Sequence, residues 1–157
     1  MQHLSEQEII RRQYLEEIQA MGINPYPAEA FDVNTSAKEI KEHFELRPDD
    51  FTAVSLAGRL MMKRVMGKAS FAEIQDSSGK IQAYINRDLI CPGENKDQYN
   101  VLFKKLCDIG DFIGVKGYVF KTQTGEISIH VSDFFFLAKS LHPLPIVKVD
   151  SEGKVHD

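Results

Sequence analysis

Six side chains able to hold a nucleic acid fall within one short stretch, GRLMMKRVMGKASFAEIQDSSGKIQ at residues 58–82. Arg59, Lys63, Arg64 and Lys68 are cationic, Phe71 is aromatic, and Gln82 carries both a donor and an acceptor. Each type contributes differently to single-strand recognition. An exposed ring stacks on a base whatever its identity, worth about 1–3 kcal/mol per base. Arg and Lys neutralise phosphates and release counterions. A Gln amide can meet the edge of an unpaired uracil. The net charge of −4 argues mildly against a nucleic-acid partner, but its distribution matters more than its sum. Residues 1–50 hold five basic and eleven acidic side chains, residues 51–91 six and three, and residues 92–157 eight and nine. The one segment with a positive balance carries all six residues.

To act together, those side chains must share a surface, and the surrounding pattern supplies one. VSLAGRLMMKR, ASFAEIQD and IQAYINRD read as three successive strands, with Gly58 as a bend or bulge in the first. Gly67-Lys68 and Ser77–Lys80 read as the turns between them. On the second strand Ser70, Ala72 and Ile74 alternate with Phe71 and Glu73. On the third, Ile81, Ala83 and Ile85 alternate with Gln82, Tyr84 and Asn86. Phe71 and Gln82 can therefore share an outer face. The pattern alone leaves a second reading open, in which Phe71 is core and the cations form a solvated edge.

The remaining elements frame that sheet. Ser5 with Glu8, and Ser36 with Glu39, have capping-box spacing and predict two helices before the strands. Arg11 and Arg12 lie on the first, as solvated charges or phosphate contacts. INPYP at residues 23–27 predicts an extended link. After Pro92-Gly93, Asn95 caps a predicted helix with Tyr99, Leu102, Phe103 and Leu106 on one face. FIGVKGYVFKT and EISIHVSDFFFLAK read as two last strands around a TGE turn, with LHPLP as a rigid connector and no element assigned to IVKVDSEGKVHD. Three strands, one helix and two strands is the order of an OB-fold barrel: mainly β with α, five strands, N-terminal helices ahead of it. The expected division is a helical extension at 1–50, the barrel at 51–141, and the start of a linker at 142–157.

Other classes find little support. No run of eighteen apolar residues predicts a membrane span, and MQHLSEQEIIRRQ is too polar for a signal peptide. A cytoplasmic location is the expectation. Cys91 and Cys107 lack the spacing of a zinc pair, and the five histidines form no ligand motif. No phosphate-binding glycine loop or nucleophile elbow is present, so no catalytic residue and no metal ligand is assigned.

GRLMMKRVMGKASFAEIQDSSGKIQAYINRD, then DIGDFIGVKGYVFKTQTGEISIHV, KSLHPLP and the early INPYP together resemble the N-terminal anticodon-binding domain of bacterial class II lysyl-tRNA synthetases, over nearly the whole chain. That subclass reads the anticodon with an arginine, a phenylalanine seven residues on and a glutamine eleven further. Arg64, Phe71 and Gln82 match all three. The resemblance implies that Phe71 stacks on the middle uracil, while Arg64 and Gln82 hydrogen-bond its edge or a neighbour. Glu126 in the TGE turn matches a further anticodon-contacting acid. Arg59, Lys63 and Lys68 are additional candidates for backbone or base contact. It implies tRNA-Lys as partner, and a homodimeric parent enzyme that uses ATP and Mg2+ to activate lysine. The family continues beyond PLP into a catalytic domain, whereas this chain stops at Asp157. The expectation is therefore a fragment that binds tRNA without charging it and needs no cofactor. Two alternatives stand beside it: a non-selective single-strand-binding OB module, and an oligomerisation or interaction domain.

Overall fold

In the computed structural model, residues 5–23 and 31–141 are described, together with the backbone of 148–149 and 155–156. Ser5 Oγ accepts the Glu8 N–H at 3.2 Å and opens α1 (Glu6–Ala20). Ser36 Oγ accepts the Glu39 N–H, also at 3.2 Å, and opens α2 (Ala37–His43). Both caps satisfy a backbone donor that the first helical turn leaves free. Arg11 departs from expectation. It is buried against the barrel, and its Nη1 donates to the carbonyls of Ile109 and Ser140, both at 3.1 Å. A single guanidinium thus ties α1 to the point where the chain leaves the barrel. Arg12 is exposed.

Five strands close the barrel: β1 (Val54–Met66), β2 (Ala69–Gln75), β3 (Lys80–Asn86), β4 (Phe112–Lys121) and β5 (Ile127–Ala138). Their order around it is β1-β2-β3-β5-β4, antiparallel except for the parallel β3–β5 pair. β1 is long because it serves two partners, β4 along Val54–Arg59 and β2 along Arg59–Met66. The expectation for Gly58 is a bend or a bulge; the bulge falls elsewhere, with the register shift between Leu60 and Met62. Gly58 instead permits a close approach, since a Cβ there would lie 2.5 Å from the Gln75 carbonyl oxygen. Inward-facing Leu56, Leu60, Ala72, Ile74, Ile81, Ala83, Ile85, Val115, Ile129 and Val131 fill the interior.

Between β3 and β5's partner β4 come a single turn, α3 (Arg87–Ile90), and then α4 (Gln98–Leu106). α4 is wound as a π-helix, not the α-helix its spacing predicts, yet Tyr99, Leu102, Phe103 and Leu106 are all buried as expected. Asn95 is not its cap, for its Oδ1 accepts the Asp97 N–H in a local turn at 2.9 Å. Tyr99 Oη lies 2.7 Å from the buried Ser70 hydroxyl and donates to the Gly67 carbonyl at 3.1 Å, so α4 holds the β1–β2 hairpin from inside.

Both cysteines are buried and free, and burial pushes the Cys107 thiol up, away from its reactive thiolate form. Two short strands, β6 (Lys148–Val149) and β7 (Val155–His156), pair antiparallel in the C-terminal stretch where no element was expected. Most of INPYP and of LHPLP lies outside the described residues. Among the described residues no helix is long and apolar enough to cross a membrane.

Candidate nucleic-acid interface

Side chains opposite one another on paired strands share a face, so the register dictates which residues meet. One outer row runs Arg64–Phe71–Tyr84–His130–Tyr118, crossing all five strands through successive pairs. The next runs Met62–Glu73–Gln82–Ser128–Phe120. The extra residue at the β1 bulge keeps Arg59 and Arg64 on the same face despite their odd spacing. Phe71 is half-buried and points outward, which excludes the reading that puts it in the core.

These rows floor an open cavity of about 650 Å³. Arg64 from β1, Phe71 from β2 and Gln82 from β3 line it together, with Tyr84, Phe120 and His130 as the far wall and Thr122–Thr124 as a rim. The Phe71 ring lies 5.4 Å from that of Tyr84, tilted by 56°, which fixes its attitude. The buried Ser128 hydroxyl donates to Gln82 Oε1 at 2.8 Å, so the amide's Nε2–H donors are the part left for a ligand. Arg64 is exposed and also offers donors only. Glu73 is drawn aside by Lys80 at 3.7 Å. Burial holds the His130 imidazole below its ordinary pKa, so it stands neutral at pH 7. The cavity is thus an aromatic floor beside the unspent donors of Arg64 and Gln82.

The other four candidates lie elsewhere. Glu126 is exposed in the β4–β5 turn, where its N–H and carbonyl bond Thr122. It sits beside the rim and does not line the cavity. Lys68 is exposed at the tip of the β1–β2 hairpin, also outside the cavity. Arg59 lies over the Phe112 ring at 4.8 Å and borders a separate depression with Gln75 and Asp76. Lys63 requires a correction. It faces inward beside Ala72, and its Nζ donates to the carbonyls of Phe103, Lys104 and Cys107 at 3.0, 3.2 and 2.5 Å. It caps the C-terminal end of α4, where backbone carbonyls lack helical partners, and burial lowers its pKa. It has no donor left to offer RNA.

Sequence reasoning passed over Tyr84, Phe120 and His130. Tyr84 was signalled, because it alternates on the same face as Gln82. Phe120 and His130 were not, because only the pairing of β5 with both β3 and β4 brings them beside Phe71.

A closed five-stranded barrel with rings and donors on its outer β1–β3 face is an oligonucleotide-binding architecture. Residues 54–137 match the tRNA anti-codon family, described as an OB-fold nucleic acid binding domain, and the chain belongs to that family. Over its full length it is also similar to lysine–tRNA ligases. It is 57% identical to that of Christiangramia forsetii, across 100% of this chain and 27% of the relative. Against that of Porphyromonas gingivalis it is 55% identical, across 98% of this chain and 27% of the relative. With that of Azobacteroides pseudotrichonymphae it shares 57%, across 98% of this chain and 30% of the relative. The chain therefore spans under a third of the length of these relatives.

Proposed function

We propose that this chain is the anticodon-recognition part of a lysine–tRNA ligase, and that its open cavity takes the unpaired anticodon of tRNA-Lys. The observation carrying the reading is the meeting of Arg64, Phe71 and Gln82 around one cavity. Phe71 lies under the middle base. Arg64 and the Nε2–H donors of Gln82 face its edge, and the Ser128 bond explains why Gln82 presents hydrogen rather than oxygen. A pair of donors suits the carbonyl oxygens of uracil. The exocyclic amine of cytosine would set donor against donor, leaving buried polar groups unpaired. Glu126 at the rim would accept an N–H from a neighbouring base. A carboxylate beside phosphates serves discrimination more than affinity. Lys68 remains a candidate for the RNA backbone.

In this reading residues 1–50 are a helical extension, 51–141 the recognition barrel and 142–157 the start of a link to a catalytic domain. Lysine activation with ATP and Mg2+ belongs to that other domain, in a cytoplasmic homodimer. Among the described residues of this chain no cluster could hold a metal ion.

The test is to titrate the chain with a hairpin bearing a UUU anticodon and with the same hairpin carrying C at the centre. The expected preference for U is about 1–3 kcal/mol. With few cations on the face, the absolute Kd should be about micromolar or weaker. Equal binding to both would leave a non-selective single-strand module. No binding to either would favour an interaction domain.

A further inference from the structure

The row that begins at Arg64 and Phe71 does not stop at the far wall of the cavity. It continues from His130 to Tyr118 on β4, three strands from Phe71 and roughly 14 Å away at ~4.8 Å per strand. Tyr118 is 44% exposed, a large ring on the outer face of a sheet whose neighbouring rings are half-buried. Its ring lies parallel to the His130 imidazole, 4.8 Å away and inclined by only 10°. Phe120 meets it edge-on at 6.4 Å. His130 is in turn wedged by Tyr84 at 5.0 Å and Phe120 at 5.4 Å, so the support beneath Tyr118 is itself fixed. Gly117 makes the arrangement possible, since a Cβ there would lie 2.0 Å from the His130 carbonyl oxygen. A larger residue would push β4 off β5 and lift Tyr118 from the imidazole.

Tyr118 itself borders a second, separate depression of about 420 Å³, together with Asp32, Asn34, Ser55, Lys116 and Ser132. Lys116 is an exposed cation on its edge, its ammonium lying 5.7 and 5.4 Å from the Phe31 and Phe135 ring centroids.

We infer that Tyr118, seated on His130, is a second base-stacking platform for the same RNA loop, holding an unpaired base other than the one over Phe71. The inference rests on the reading that the cavity binds an RNA loop. Three features carry it: an exposed ring held by the rings around it, an unbroken row of ring contacts leading to it from Phe71 through Tyr84 and His130, and a cation beside the adjoining depression. Preorganisation matters because a ring already held in place loses little freedom on binding. The polar side chains bordering the adjoining depression bond within the protein, Asn34 to Ala53 and Ser55, Ser55 to Asp32 and Ser132 to Lys116, so this platform adds affinity without base selectivity.

Four variants of the chain, Tyr118→Ala, Tyr118→Leu, Tyr118→Phe and Phe71→Ala, would be titrated with the UUU and UCU hairpins. UUU hairpins carrying 2-aminopurine at single loop positions would be titrated alongside. Tyr118→Ala and Tyr118→Leu should weaken both hairpins by about five- to a hundredfold while keeping the preference for U. Tyr118→Phe should bind within about twofold of the parent. One 2-aminopurine position should lose its quenching with Tyr118→Ala and keep it with Phe71→Ala. Thermal unfolding of Tyr118→Leu, which keeps apolar bulk over His130, separates lost stacking from lost folding. Parent-like binding by the folded Tyr118→Leu protein, alongside weakened binding by Phe71→Ala, would overturn this inference alone. Failure of the unmodified chain to bind either hairpin would overturn it together with the RNA-binding reading.

Discussion

Lys63 and Arg64 are consecutive, yet they belong to two regions of opposite design. Successive side chains on a strand point to opposite faces, so one goes in and the other out. Inside, the lysine ammonium groups are spent. Lys63 caps α4. Lys139, whose side chain is 1% exposed, donates to Asp108 at 2.7 Å, Asp111 at 2.6 Å and the Leu106 carbonyl at 2.7 Å. Asp111 also accepts the N–H groups of Asp108 and Ser140, at 2.7 and 2.9 Å. Outside, Arg64 and Gln82 keep donors free around a ring. Buried charges must be satisfied or they destabilise the fold, whereas unspent donors on an exposed aromatic face are what a ligand can use. The same residue types therefore hold the fold together in one region and stand open to a ligand in the other.

The sharpest way to break this contrast is to remove an inner charge. Lys139→Ala leaves Asp111 buried without its counter-ion and should cost about 3–5 kcal/mol in urea unfolding, while the folded protein still prefers the UUU hairpin. A loss below roughly 1 kcal/mol would place Lys139 among ordinary surface pairs and dissolve the contrast. Phe71→Ala should do the reverse. Hairpin affinity falls by about 1–3 kcal/mol and the unfolding midpoint barely moves. The two neighbours then sharpen the boundary. Lys63→Met should cost about 1–2 kcal/mol of stability and leave RNA affinity unchanged, and Arg64→Met should lower affinity alone. Crossed results would move the boundary between the regions.

The smallest effect comes from His130, which lies on that boundary. Burial puts its folded-state pKa below the ordinary 6.5. As pH falls through that value the unfolded chain takes up the proton first. Its contribution is therefore complete above about pH 6.5 and declines as pH drops toward the folded-state pKa. Melting curves at about pH 7.5 and about pH 5.5 should show the decline, and His130→Gln should flatten it. An unchanged slope would mean that the acid sensitivity comes from other groups.

Much of this was legible from alternation. Alternation puts Phe71, Gln82 and Tyr84 on one face and Ser70, Ala72, Ile74, Ile81, Ala83 and Ile85 on the other, because side chains of a strand alternate locally; which face is outward stays open in the pattern for Phe71. The helix starts at Ser5 and Ser36 were equally local, depending on side chains three residues apart. Arg11 and Lys63 were misplaced for one shared reason. A long cationic side chain can lie in water or reach a carbonyl, and that choice depends on what covers it. The covering groups, Ile109 and Ser140 for Arg11 and the end of α4 for Lys63, are distant in sequence.

The sequence by itself determined the order of the barrel elements and the alternation along β2 and β3, which rest on neighbours within a turn or a strand, and its resemblance to a known family singled out Arg64, Phe71 and Gln82. Tertiary structure alone decided that β5 pairs with β3 on one side and β4 on the other, which assembles Tyr84, Phe120, His130 and Tyr118 into one aromatic floor. It also decided, through a bulge of one residue in β1, that Arg59 and Arg64 look the same way. Which strands close a barrel depends on burying all inner faces at once, a condition on the whole chain that no local pattern contains.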